Sequence, residues 1–217
     1  MSLHDLVDAA CALVPDRGRA VLGIAGVPGA GKTTLAEELV SAIIRDRGPG
    51  WVAHVPMDGF HLADVQLERL GVRERKGAPE TFDAGGYAAL LRRLHTETDR
   101  PVYAPGFERT LEQPIAGAMV VEPGARLVIS EGNYLLLPDP AWREARAAMD
   151  AVWLVEGDDR VRVERLVARH ERFGKTPDAA ASWVATVDEA NSALIRSQSD
   201  PPDRIVHNSP NGWRFSG

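Results

Sequence analysis

Cysteine and lysine are nearly missing from this chain: Cys11 is the one thiol in 217 residues, and Lys32, Lys76 and Lys175 are the only lysines. A single cysteine excludes an intramolecular disulfide and any cysteine-rich metal site, and its neighbours Ala9, Ala10 and Leu13 read as the core side of a helix. No apolar run approaches the roughly 20 residues that a membrane span needs. The first residues lack the basic-then-apolar order of a secretory leader, so a cytoplasmic chain without membrane contact is expected. Net positive charge is also missing: 31 acidic against 25 basic side chains leave a formal charge of −6. Nucleic-acid backbones are bound by basic surfaces, so no nucleic-acid partner is expected. The remaining composition, 44% hydrophobic and 26% charged, is that of a globular protein. The length suits one domain spanning 1–217, as a monomer or homodimer.

The lysine shortage makes the survivors informative. Twenty-two arginines carry the rest of the basic charge, and each lysine adjoins a glycine: Gly31-Lys32, Lys76-Gly77 and Gly174-Lys175. Coding bias explains an arginine excess; a retained lysine can equally mark a place that needs a compact, flexible point charge.

Lys32 closes the run Gly26-Val27-Pro28-Gly29-Ala30-Gly31-Lys32-Thr33, which has the G-x-x-x-x-G-K-[ST] spacing of a phosphate-binding loop. Glycines let the backbone curl until successive N–H groups point at phosphate oxygens. The following helix adds its positive end, Lys32 reaches the terminal phosphates, and the Thr33 hydroxyl is a Mg²⁺ ligand candidate. The flanks agree. Ala20–Ala25 is a short apolar strand, and Leu35, Leu39, Ala42 and Ile43 recur at helical spacing after the loop. Gly26, Gly29, Ala30, Gly31, Lys32, Thr33 and Thr34 are therefore the candidate nucleotide-binding residues.

Strand and helix alternate along the rest. Strands are expected at 20–25, 51–57, 101–104, 118–122, 126–131, 151–155 and 203–207. Helices are expected at 3–14, 32–46, 86–97, 140–148, 158–172 and 177–196. Such alternation implies a three-layer α/β/α fold with a mainly parallel sheet. In sheets of this kind ligands sit at the carboxyl ends of the strands. Asp58-Gly59-Phe60-His61 follows one apolar strand and Glu131-Gly132-Asn133-Tyr134 closes another. Asp58 is the candidate base for a hydroxyl acceptor, against the alternative of an Asp-Gly turn. Glu131 is the candidate partner of Mg²⁺ or of the acceptor, against that of a surface carboxylate. His61 either contacts substrate or packs.

Residues 73–83 form a long segment that mixes charge with Gly77 and Pro79, either a solvated or a functional loop. Arg109 lies in another irregular stretch, a substrate contact or a surface ion pair. Arg162, Arg165, Arg169 and Arg172 share much of one helix face. A solvated face explains them, and so does a helical lid over about 158–180 with Arg165 and Arg169 closing on ATP phosphates.

Together, Gly26–Thr34, Met57–His61, Lys76–Asp83, Glu131–Tyr134 and the arginine helix before Gly174 resemble the phosphoribulokinase/uridine kinase family of P-loop kinases, in particular its pantothenate-kinase-like branch. The resemblance runs in the family's order over roughly residues 20–195. It implies an ATP- and Mg²⁺-dependent transfer of the γ-phosphate to a hydroxyl of a small metabolite: a nucleoside, a sugar or a pantothenate-like acceptor. In that frame Asp58, Lys32, Glu131, Arg165 and Arg169 match catalytic positions. Asp58, His61, Lys76, Asp83 and Arg109 match the acceptor side, and Thr33 and Glu131 the metal. A regulatory P-loop NTPase that hydrolyses ATP or GTP to control a protein partner is the competing class.

Overall fold

A computed structural model describes residues 2–216. The chain runs through α1 (Leu3–Cys11), β1 (Ala20–Ala25), α2 (Lys32–Arg47), β2 (Val52–His54), α3 (Asp64–Leu70) and α4 (Ala84–Thr96). It continues with β3 (Val102–Glu108), β4 (Gln113–Val121), β5 (Leu127–Gly132), α5 (Pro140–Ala147) and β6 (Ala151–Gly157). Then come α6 (Asp159–Arg172), α7 (Pro177–Trp183), α8 (Glu189–Gln198), β7 (Arg204–Ser209) and β8 (Gly212–Phe215).

Six strands form one sheet in the order β2-β5-β1-β6-β7-β8, parallel except for β8. β1 is buried along its whole length, and its alternation divides the core. Ala20, Leu22 and Ile24 face the layer of α1 and α2, where Leu6, Leu35, Leu39 and Ile43 are buried. Val21 and Ala25 face the layer of α4 and α5, with Tyr87, Leu91, Leu94 and Trp142. Each fully buried leucine or isoleucine contributes about 1.5–3 kcal/mol of apolar transfer, so the two faces together hold the sheet rigid beneath the site. The result is the three-layer α/β/α architecture that the alternation implies.

Local chemistry fixes where the helices begin. The carboxylate of Asp83 accepts from Gly86 N at 2.8 Å and caps α4. Asp139, Asp158 and Thr176 do the same for α5, α6 and α7, the first and last followed by proline at the first helical position.

The structure departs from the sequence expectation in three places. Strand 51–57 is shorter than its apolar run: β2 ends at His54, and Met57–Phe60 forms a 3₁₀ turn that carries Asp58. The strand pieces near 101–104 and 118–122 lie outside the main sheet and pair as the antiparallel hairpin β3–β4. The last strand is followed by another, β8, which pairs antiparallel with β7.

The β3–β4 hairpin is seated directly on the turn that presents Asp58. A Cβ built at Gly59 would stand 2.2 Å from the carbonyl oxygen of Pro105 on β3. Gly59 therefore serves close approach of two backbones, where the Asp-Gly pair suggested only a tight turn. Two backbones leave no flexible group to yield. Gly59→Ala is expected to destabilise the fold by about 1–3 kcal/mol, read as a lowered melting temperature. An unchanged melting temperature would show that the hairpin is not held there.

Candidate functional site

The loop between β1 and α2 curls as a phosphate cradle must. Gly29 and Gly31 have φ of 77° and 102°, a region that side chains rarely occupy. A Cβ at Gly31 would also meet Asn208 Nδ2 at 2.6 Å. Lys32 opens α2 and is 7% exposed, its Nζ donating to the Val27 carbonyl at 3.0 Å. Ala30 is buried behind the loop, whereas Thr33 and Thr34 are exposed on the first turn of α2.

β5 runs beside β1 in register, Ile24 opposite Glu131. Parallel pairing therefore brings Glu131 to the start of α2, where the Thr33 hydroxyl donates to its Oε1 at 3.0 Å. Glu131 is 6% exposed. Burial, then the neighbouring Asp58 carboxylate, pushes its pKa up to about 7, while Lys32, the Thr33 hydrogen bond and Arg109 oppose the rise. Burial pushes Lys32 down to about 8; Glu131 and Asp58 favour its charge, and Arg169 and Arg162 oppose it. A buried hydroxyl chain steadies this edge. Tyr87 lies 2.5 Å from Ser130 Oγ, which donates to the Val55 carbonyl at 2.5 Å, tying α4, β5 and the end of β2 together beside Glu131.

Asp58 sits across from Glu131 on the 3₁₀ turn. Arg109, beyond the end of β3, reaches it with Nη2 3.5 Å from Oδ2. His61 donates from Nδ1 to the Asp58 carbonyl at 2.8 Å, since a carbonyl can only accept. Its ring packs at a tilt against Phe82 and Phe107, with centroids 4.0 and 4.8 Å away, and burial lowers its pKa. His61 thus braces the turn that holds Asp58.

Lys32, Thr33, Glu131, Asp58 and Arg109 converge in this way, and Arg169 lies within electrostatic reach of Lys32. Arg165 occupies the exposed side of α6. Lys76 is engaged elsewhere: its Nζ bonds Asp64 Oδ1 at 2.6 Å and the Glu112 carbonyl, and lies over the Phe107 ring. It fastens the β3–β4 turn to α3. Asp83 is the cap of α4 and lines an open cavity of about 470 Å³ with Glu80, Asp139 and Trp142. The third lysine, Lys175, stacks over Trp183 at 4.4 Å.

Arg162 proves to be the arginine of α6 most deeply tied to the phosphate loop. It is 3% exposed and bonds Asp159 at 2.9 Å, Glu189 at 2.5 Å, Ser192 at 3.3 Å and the Pro28 carbonyl at 3.2 Å. His170 Nε2 and Asp188 Oδ2, 2.8 Å apart, tie the far end of the helix to the π-helical turn Val184–Asp188. The spacing of the arginines could not single out Arg162, because its partners lie up to 134 residues away. A pointer was present in Leu166 one turn later, whose side chain also packs against Gly29.

No family model matches the chain. Over 211 residues it is 33% identical to the protein named "Putative uridine kinase C227.14" of Schizosaccharomyces pombe, spanning 94% of this chain and 90% of that one. It is 35% identical over 167 residues to "ATP-dependent kinase-like protein notR'" of Aspergillus versicolor, spanning 73% and 95% respectively. Among solved structures, a "putative fructose transport system kinase" from Silicibacter sp. TM1040 superposes with a TM-score of 0.86 at 36% identity, over 96% of this chain and 100% of that one.

The two shifted pKa values set the sign of a pH effect. Without a metal, an anionic nucleotide binds best when Lys32 is charged and Glu131 is neutral. Raising pH ionises Glu131 near 7 and discharges Lys32 near 8, and both changes oppose the anion. Above about pH 7.5, where the terminal phosphate of ADP is already doubly ionised, the affinity of metal-free ADP measured by calorimetry is expected to fall towards about pH 9 as Lys32 discharges. A flat profile would contradict this electrostatic reading.

Proposed function

The chain belongs to the phosphoribulokinase/uridine kinase family of P-loop kinases, and on that premise we propose which of its residues carry out phosphoryl transfer to a small hydroxyl compound. The enzyme is a small-molecule kinase that uses ATP and an alcohol acceptor. The observation that carries the assignment is the convergence of Lys32 at the start of α2, Glu131 at the end of β5 and Asp58 on the turn beyond β2, with Arg109 on the outer side.

In this reading the N–H groups of the 26–31 loop and Lys32 hold the β- and γ-phosphates. The Asp58 carboxylate accepts the acceptor's hydroxyl proton as that oxygen attacks the γ-phosphorus. The bond from phosphorus to the bridging oxygen breaks, and ADP leaves with the electron pair. Arg165 and Arg169 supply positive charge to the transferring group from the outer face of α6. Because α6 is anchored through Arg162 and His170, such approach would come from side chains and from the segment beyond Gly174 more than from swinging the whole helix.

The residues present fit a Mg²⁺ ion. Thr33 Oγ1 and Glu131 Oε1 are hard oxygen donors 3.0 Å apart at the mouth of the loop. Mg²⁺ characteristically takes one or two protein oxygens and completes its shell with phosphates and water. When bound there it would neutralise phosphate charge, with Thr33 and Glu131 holding it.

Arg109 is the acceptor-side cation, since it already pairs with the proposed base. Lys76, Asp83 and His61 shape that side less directly: Lys76 fixes the hairpin, Asp83 starts α4, and His61 supports the Asp58 turn. A nucleoside, a sugar or a pantothenate-like alcohol is the acceptor class proposed.

Asp58→Asn is expected to lower turnover by about 10²-fold or more against a hydroxyl-metabolite library, while ATP affinity changes little. Turnover equal to wild type would remove Asp58 from its role. Arg109→Gln is expected to raise the acceptor KM several-fold and to leave the ATP KM unchanged. A rise confined to the ATP KM would place Arg109 on the nucleotide side instead.

A further inference from the structure

A loop whose N–H groups converge on an anion must turn its carbonyls the other way, and each buried carbonyl then needs a donor. The phosphate loop obtains these from three elements. Val27 O accepts from Lys32 Nζ at 3.0 Å and from Ala30 N at 3.2 Å. Pro28 O accepts from Arg162 Nη1 at 3.2 Å, and Ala30 O accepts from Asn208 Nδ2 at 3.0 Å. The last bond joins residues 178 apart in the chain.

Peptide planarity gives the Asn208 bond its leverage. In a trans peptide the C=O and the next N–H point in opposite directions, so holding the Ala30 carbonyl outward aims the Gly31 N–H inward. Gly31, at φ 102°, has no side chain to resist rotation of that peptide. Asn208 is itself held on both sides, opposite Gly157 of β6 and Trp213 of β8. From the same hairpin the Trp213 ring stands 3.1 Å from a Cβ built at Gly31, and its Nε1 donates to Glu38 of α2 at 2.8 Å. The β7–β8 hairpin therefore grips the end of the loop and the helix that follows it.

We propose that Asn208 is a positioning residue for nucleotide binding, acting through the Ala30–Gly31 peptide to keep the Gly31 N–H directed at phosphate. The inference rests on the nucleotide-binding reading of the 26–33 loop and adds a determinant of affinity from the opposite end of the chain.

The test compares wild type with Asn208→Leu, close in shape without a donor, and Asn208→Ala, the smaller variant that decides the matter if the first does not fold. ADP affinity is measured by calorimetry, the Gly31 amide resonance by ¹⁵N spectroscopy, and melting temperature on the ligand-free proteins. The expected result is a loss of ADP affinity of about tenfold or more, a displaced Gly31 resonance, and a melting temperature within about 4 °C of wild type. ADP affinity within about twofold of wild type in a folded variant, or an unmoved Gly31 resonance, would overturn the proposal. Absence of ADP binding to wild type would remove the nucleotide reading itself and this inference with it, an outcome recognisable before any variant is made.

Discussion

A lysine ammonium taken out of water carries a desolvation penalty of several kcal/mol, which only nearby opposite charge and good hydrogen bonds offset. Lys32 is in that position. It lies buried at the start of α2, bonded to Val27 O, with the carboxylates of Glu131 and Asp58 favouring its charge. Those carboxylates reach it because parallel pairing of β1 with β5, and of β5 with β2, delivers three chain segments to one sheet edge. The rigid core beneath, the Tyr87–Ser130–Val55 chain and the His61 brace all keep those ends in place. In the ligand-free site burial works against both charges, lifting Glu131 and lowering Lys32. A phosphate and a divalent cation would restore them. The site is thus arranged so that its charged form is completed by ligand.

In the proposed reading, that arrangement also distinguishes a transfer site from a bare nucleotide switch. Hydrolysis requires phosphate and metal ligands; Asp58 and Arg109 extend the cluster away from the loop, under a hairpin seated on Gly59. On the proposed reading, Asp58 with Arg109 on its outer face is what an incoming hydroxyl compound would meet.

Much of this was legible in the sequence because the signals were local. The loop spacing, the apolar strand before it and the helical spacing after it locate Lys32 and Thr33, and the strand-end rule locates Asp58 and Glu131. What stayed hidden depends on distant partners. Arg162 sits among four similarly spaced arginines, and its burial is decided by Glu189, Ser192 and Pro28. Scarcity and the Lys76–Asp83 segment both mark Lys76, but neither reveals its bonds to Asp64 and the Glu112 carbonyl. The sequence marks β3 and β4 as strands without showing that they pair, and β8 is invisible in it because four residues, Gly212–Phe215, carry too little periodicity. The grip of the β7–β8 hairpin on the phosphate loop could not be seen until the fold brought the ends of the chain together.

The account centres on transfer to an acceptor, and the path of the γ-phosphate tests it most directly. Purified protein is incubated with Mg²⁺, γ-labelled ATP and a library of nucleosides, sugars and vitamin-like alcohols, and the labelled products are separated and weighed. The account predicts label in a phosphorylated metabolite, with little release as inorganic phosphate when no acceptor is present. Label appearing only as inorganic phosphate, at a rate indifferent to every acceptor, would contradict it.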